Sequence, residues 1–245
     1  MNTNFSKLWN RDMPASALML AGALCIAAVV VMFGLWGLKS DSNSIVSTGS
    51  ARERVTSDSA KITGDITLRV PASGVKAGYL KIANDKQKVL AYLNKQGAKT
   101  EDITFGSVYA GEVWNNNNGP REFDIKQSVT VQSADLDMVK RVSDNSSDII
   151  QQDVLFQPYA VEYYYSKLPE KRRELLGKAV VDARERAQEI ATSSGNKVGT
   201  LKSARAGVVQ VLAPSSQNVD DYGSYDTSTV EKDVVVSVNA TFAIK

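Results

Sequence analysis

Apolar and polar residues alternate along several stretches of the chain after residue 44, and this alternation predicts β-strands. In the last stretch, Val234, Val236 and Val238 share one face while polar residues take the other. The Asn118-Gly119 step between two earlier stretches favours a tight hairpin turn. The predicted strands cover residues 45–55, 61–70, 103–114, 121–132, 148–166, 197–212 and 230–244.

Helical periodicity separates these strands at residues 74–97, 133–147 and 169–194. The third helix has an apolar stripe of mostly small side chains, which allows close approach to a sheet. The stripe consists of Leu175, Ala179, Ala183, Ala187 and Ala191. A ladder of alternating charge runs beside the stripe, and we interpret it as a solvated face. The ladder consists of Glu174, Lys178, Asp182 and Arg186.

The order of these elements repeats. Strand, helix, strand and strand follow one another at 61–132 and again at 148–244, without clear residue identity between the copies. This order predicts an α+β domain of two βαββ-like units, with helices packed on antiparallel or mixed sheet in two layers. A doubly wound parallel sheet is the alternative, but the hairpin signals outnumber the crossovers.

Residues 15–38 contain no charged side chain, and this segment predicts a transmembrane helix. As a helix the segment extends about 36 Å, and the hydrocarbon core of a bilayer is roughly 30 Å thick. Trp9 and Trp36 are placed to lie in the two membrane interfaces. A cleaved signal peptide is the alternative, because Lys7 and Arg11 precede the apolar segment.

The charges that flank this segment predict its orientation. Lys7, Arg11, Asp12 and the chain's amino group precede it, whereas Lys39 and Asp41 follow it, which favours a cytoplasmic N-terminus. The sequence therefore predicts a single-pass protein of the bacterial inner membrane. Its parts are a cytoplasmic segment (1–14), a signal anchor (15–38), a linker (39–44) and a periplasmic domain (45–245).

The amino-acid composition excludes several classes of function. The formal net charge is +2, which is too small to attract nucleic acid. Histidine is absent from the chain, and its single cysteine, Cys25, lies in the predicted anchor, so the domain has neither a disulfide nor a histidine base or ligand. We therefore expect a protein that is not an enzyme and that binds no cofactor or metal.

Two regions suggest contacts with partners. Tyrosines crowd one predicted strand, where alternation places them on both faces, and they indicate either an oligomer or partner interface, or core on one face with a partly covered surface on the other. These residues are Tyr159, Tyr163, Tyr164 and Tyr165. The long polar loop 213–229 contains Asp220, Asp221 and Asp226, whose spacing does not match an EF-hand. We interpret it as a mobile or partner-contacting loop rather than a calcium site.

Four segments resemble the SIMPL-domain family of envelope proteins: GSARERVTSD at 49–58, QSVTVQSADLDMVKRVS at 127–143, AVVDARERAQEIATSSGNKVG at 179–199, and residues 234–242. The resemblance implies an extracytoplasmic α/β domain without catalytic residues. It also implies a domain whose relatives can form large hollow homo-oligomers and are linked loosely to envelope or oxidative stress.

These observations lead to two functional hypotheses. In the first, the protein is a membrane-anchored scaffold that assembles with copies of itself into a ring or cage on the outer face of the inner membrane. In the second, it is a periplasmic module that binds a ligand or protein as a monomer or dimer. Tethering favours the first, because a domain held in the membrane plane loses less orientational freedom on association.

Overall fold

The computed structural model describes residues 19, 22–32, 43–114, 119–216 and 221–245. Beyond residue 43, eight strands and three α-helices are present in this described part. The strands are β1 (Ser44–Thr56), β2 (Ser59–Pro71), β3 (Ile103–Val113), β4 (Glu122–Ser133), β5 (Phe156–Pro158), β6 (Glu162–Tyr164), β7 (Val198–Leu212) and β8 (Glu231–Ile244). The helices are α1 (Val75–Lys95), α2 (Leu136–Asp144) and α3 (Leu168–Ser193).

Only part of the predicted anchor is described. Residues 19 and 22–32 are helical, whereas Trp9 and Trp36 lie outside the described residues. Among the residues that are described, no helix combines the length and apolarity needed to span a membrane. The anchor, its orientation and the cellular location therefore stay predictions.

The strands form two antiparallel sheets, and the predicted mixed fold of helices on sheet is confirmed. One sheet has the order β1-β8-β7, and the other has the order β3-β4-β2-β5, with β6 also paired to β2. The pairings within both sheets are antiparallel. The alternative of a doubly wound parallel sheet is therefore wrong.

Each sheet is built around a βαββ unit of the same topology. In β2-α1-β3-β4 the third strand lies between the first and the second, and the same order holds for β1-α3-β7-β8. We call the first the inserted unit and the second the enclosing unit, because the first lies in sequence between β1 and α3. The unit at 61–132 is thus as predicted, but the predicted bounds of the second copy are wrong, because its first strand is β1 rather than residues 148–166.

The prediction of one strand over residues 148–166 is wrong. The segment begins within a 3-10 helix, Ser146–Gln152, and continues through the short strands β5 and β6. Asp153 adopts a left-handed conformation (φ 60°) that ends the 3-10 helix. Backbone hydrogen bonds from Thr67 to Leu155 (3.0 Å) and from Tyr159 to Thr63 (2.7 Å) then attach the segment to β2. These contacts with another strand decide the conformation.

Helix α3 lies unusually close to β1. Its predicted apolar stripe is buried, as expected. At Gly49 of β1, an added Cβ would lie 2.2 Å from both the Ala179 carbonyl oxygen and the Ala183 amide nitrogen. No side chain fits there, so only glycine on the strand and small residues on the helix permit this approach.

The charged ladder of α3 also contacts β1, which the prediction of a solvated face did not include. Lys171 and Lys178 each donate hydrogen bonds to both Glu53 of β1 and Glu174 of α3, at 2.6–2.8 Å. Asp182 accepts the backbone N–H of Ser50 at 2.7 Å. The ladder therefore engages the outer edge of β1 at Ser50.

Acid is expected to weaken this ring of four side chains. Lys171 and Lys178 lower the pKa of Glu174 from 4.5 to about 2, and they also lower the pKa of Glu53. A depressed carboxylate pKa contributes stability that is fully present above pH 4.5 and is lost as the pH falls toward 2. Glu53→Gln should therefore make the unfolding free energy less dependent on pH in this window. Denaturant titrations at several pH values measure the slope; Glu185→Gln, at an exposed position, is the control, and a wild-type slope in Glu53→Gln contradicts the ring.

Candidate binding surface

The two edges of the enclosing sheet differ in how they are covered. The charged ladder binds the β1 edge at Ser50, whereas residues 200–206 of β7 are exposed. In the described part of the chain, no strand pairs with the outer side of β7 at residues 203–206. We call residues 203–206 the β7 edge.

The strand register shows which backbone groups of the β7 edge point outward. Ser50 donates its N–H to Asp182, so its backbone groups point away from β8. In an antiparallel ladder its partner Ser237, and every second residue of β8, then directs its backbone groups toward β7. Ala204 and Ala206 lie opposite the intervening residues. Their N–H and C=O groups therefore point to the open side.

The outer side of β7 is already paired farther along the strand, at Val211. Val211 donates its N–H to the Ser224 carbonyl and accepts the Asp226 N–H, both at 2.8 Å. Val211 and Tyr225 form an isolated parallel bridge. The outer side of β7 is thus able to hold a short extended segment. Residues 224–226 occupy only the C-terminal end of this side.

A cavity of about 520 Å³ lies where α3 begins beside β7. Three of its lining residues are apolar and two are arginines: Leu168, Pro169, Val209, Arg172 and Arg173. Its volume lies within the range of roughly 300–1,000 Å³ that is typical of ligand sites. Val209 belongs to β7, so the cavity is continuous with the strand that carries the open edge.

The side of α3 that faces β7 is basic. Among the described residues, Arg172 forms no ion pair, and Arg173 lies 3.6 Å from Glu170, with both side chains mostly exposed. Arg184 stands over the ring of Phe242, 6.0 Å from its centre. The opposite side of the helix has balanced charge, since its lysines pair with Glu53 and Glu174. This arrangement favours an anionic partner on the β7 side.

A family model described as SIMPL, a protein of unknown function (DUF541), matches residues 45–242. The chain belongs to the SIMPL family. The match covers both the inserted and the enclosing unit and confirms the family resemblance seen in the sequence. No curated protein gives a significant match.

Part of the loop before β8 in this SIMPL domain is held by a fully buried lysine. The Lys232 ammonium donates hydrogen bonds to the carbonyl oxygens of Asp226 (2.5 Å) and Thr229 (2.6 Å). It lies 3.5 Å from the Asp226 carboxylate and 5.8 Å from the centre of the Tyr225 ring. Burial lowers the pKa of Lys232, and Asp226 opposes that shift. The lysine fixes the segment that pairs with Val211.

The two described aspartates of the predicted loop, Asp221 and Asp226, lie in different surroundings. The Asp226 carboxylate accepts the Ser228 N–H at 3.1 Å and faces Lys232, while Asp221 is exposed and Asp220 lies outside the described residues. Burial alone would raise the pKa of Asp226, but hydrogen bonds from Ser228 and Thr229, together with the Lys232 ammonium, hold it well below its usual value. No cluster of three or more potential metal ligands occurs in the part of the SIMPL domain that the structure describes.

Three of the four predicted interface tyrosines lie at the junction of the two units. Tyr163 packs on the core of the inserted unit, and Tyr165 on the core of the enclosing unit. The Tyr164 ring lies 6.0 Å from the ring of Tyr225, and the Tyr165 N–H donates to the Tyr225 hydroxyl at 2.9 Å. These tyrosines therefore connect the units within one chain.

Tyr159 differs from the other three tyrosines. Its side chain is 55% exposed, and its hydroxyl donates to Asp65 at 2.6 Å. It is the tyrosine of the four most accessible to a partner, and its interface role stays a prediction. Sequence reasoning missed the β7 edge. The available signal was the segment KSARAG at 202–207, which has no large apolar residue on either face.

Proposed function

We propose that this SIMPL domain is an extracytoplasmic binding module that holds another protein at the β7 edge. The main support is that the backbone N–H and C=O groups of Ala204 and Ala206 point outward from the sheet. Val209 of the same strand lines the nearby cavity. Strand addition to an open edge supplies affinity through backbone hydrogen bonds, and adjacent pockets supply specificity. The family match supports the same general role.

The apolar segment at residues 15–38 would hold the module at the outer face of the bacterial inner membrane. The charge difference across that segment supports this orientation. A tether restricts the module to the membrane surface and raises its effective concentration toward partners located there.

The predicted ring or cage is the second candidate. Joining copies head to tail through their sheets would require an open β1 edge to receive β7, but the Ser50 N–H on that edge is already donated to Asp182 of α3. This geometry favours binding of a different protein. Assembly through other surfaces, including Tyr159, stays a prediction.

Site-specific photocrosslinking of the full-length protein in its membrane distinguishes the two candidates. A photoreactive amino acid replaces Ala206 at the β7 edge, and the control position is Glu185, at an exposed site on α3. A binding module should give an adduct with a different protein at position 206 and none at position 185. Mass spectrometry of the adduct identifies its components.

The other outcomes of the crosslinking would either favour the scaffold or reject the β7 edge as a binding site. An adduct of the chain with itself at position 206, together with large particles after detergent extraction, would replace the binding module by the scaffold. Equal labelling at positions 206 and 185, or no adduct at 206, would reject the β7 edge as a binding site.

A further inference from the structure

We infer that the partner segment is an extended, acidic and partly apolar peptide that adds to β7 as a fourth strand of the enclosing sheet. This inference rests on the proposed function and specifies the chemistry of the partner. The segment would pair with Ala204 and Ala206 and place an apolar side chain in the cavity beside Val209.

The acidic character follows from the charge on both sides of the added strand. Side chains of an extended segment point alternately to the two faces of a sheet. On the helix side they would meet Arg172 and Arg173 at the cavity and Arg184 farther along α3. On the other face lies Arg205, which is paired in register with Asn239. Carboxylates on the incoming strand complement both sides and form charge-assisted hydrogen bonds with the guanidinium groups.

The apolar character follows from the cavity. Leu168, Pro169 and Val209 supply three of its five lining residues, and Leu168 and Val209 pack on the core of the enclosing unit. An apolar side chain seated there would extend that core and remove the apolar lining from water.

Bulges in β7 limit the partner to a short segment. The register is regular from Ser203 to Ala206 and is interrupted on both sides of this run. A strand edge with an irregular register cannot form a long continuous ladder with another strand. Such an edge therefore disfavours aggregation between identical chains. Pairing of two β7 edges from separate copies would also bring Arg205 of each copy close together. A short acidic segment of another protein needs only the regular run from Ser203 to Ala206, and its carboxylates attract Arg205 instead of repelling it.

Two capped eight-residue peptides test the inference on the full-length protein in detergent. One has a single central leucine and glutamate at all of its other positions, so that carboxylates lie on both faces of the strand, and the other has lysine in place of each glutamate. Isothermal calorimetry should detect binding of the glutamate peptide only. Arg172→Glu/Arg173→Glu should weaken that binding by about tenfold or more, because two attractive contacts become repulsive. Lys95→Glu/Lys126→Glu, the same charge change on the inserted unit, should leave it within about twofold.

Amide hydrogen exchange tests strand addition itself. The glutamate peptide should slow exchange at Ala204 and Ala206, whose N–H groups point outward, and leave Arg205, which faces β8, unchanged. Binding without this alternating protection would overturn the added strand, and equal binding of both peptides would overturn the acidic specificity. If neither peptide binds while position 206 still crosslinks to a different protein, the peptide inference fails and the binding module stands.

Discussion

Gly49→Val is expected to lower the free energy of unfolding by about 3 kcal/mol, because forced overpacking of this kind costs that order of energy. The added Cβ would meet backbone atoms of Ala179 and Ala183 at 2.2 Å. Helix backbone cannot rotate aside as a long side chain can, so α3 must shift away from β1 and expose its buried stripe. Chemical denaturation followed by circular dichroism measures the change.

Gly177 provides the matched control within α3. It is exposed, and an added Cβ there would meet no atom within 4 Å. Gly177→Ala should therefore stabilise the protein by about 0.5–1 kcal/mol, through helix propensity alone. Equal effects of Gly49→Val and Gly177→Ala would contradict the close contact of helix and strand.

Lys232→Met is expected to cost about 3 kcal/mol, which is typical when one member of a buried charge pair is removed. The substitution would leave the Asp226 carboxylate and the carbonyl oxygens of Asp226 and Thr229 without their buried donor. The loop that pairs with Val211 would then loosen. Denaturation midpoints and exchange at the Val211 amide measure the two effects.

A double variant separates lost charge pairing from lost packing. Asp226→Asn removes the charge that Lys232→Met leaves uncompensated, so the double variant should lose less stability than the sum of the two single variants. Lys99→Met is the control, because that side chain is 75% exposed, and it should change stability by less than about 0.5 kcal/mol. Additive losses would show that the carboxylate and the ammonium do not act together.

Local periodicity was enough to place the regular elements. The small-residue stripe of α3 predicted a helix over 169–194, and the observed helix is Leu168–Ser193. The alternation of apolar and polar residues likewise predicted a strand over 230–244, and the observed strand β8 is Glu231–Ile244. These elements carry their own signal because one face of each is buried along its whole length.

Pairing between distant segments could not be predicted in the same way. Ser44 pairs with Ala243, and nothing in the local pattern of either strand identifies its partner. The segment 148–166 failed for a related reason, because its backbone hydrogen bonds go to β2. The candidate binding surface was missed because α3 lies to one side of its sheet, and that lateral position depends on a contact at Gly49 that no periodicity reveals.

The insertion of one unit into the other fixes an order of folding. All strands of the inserted unit's βαββ core are contiguous in the chain, so that unit can close while later residues are still being synthesised. Strand β1 leaves the ribosome first, yet its neighbour β8 is the final strand to emerge. Until then neither edge of β1 is paired with a strand of its own sheet, and β1 is open to wrong pairing.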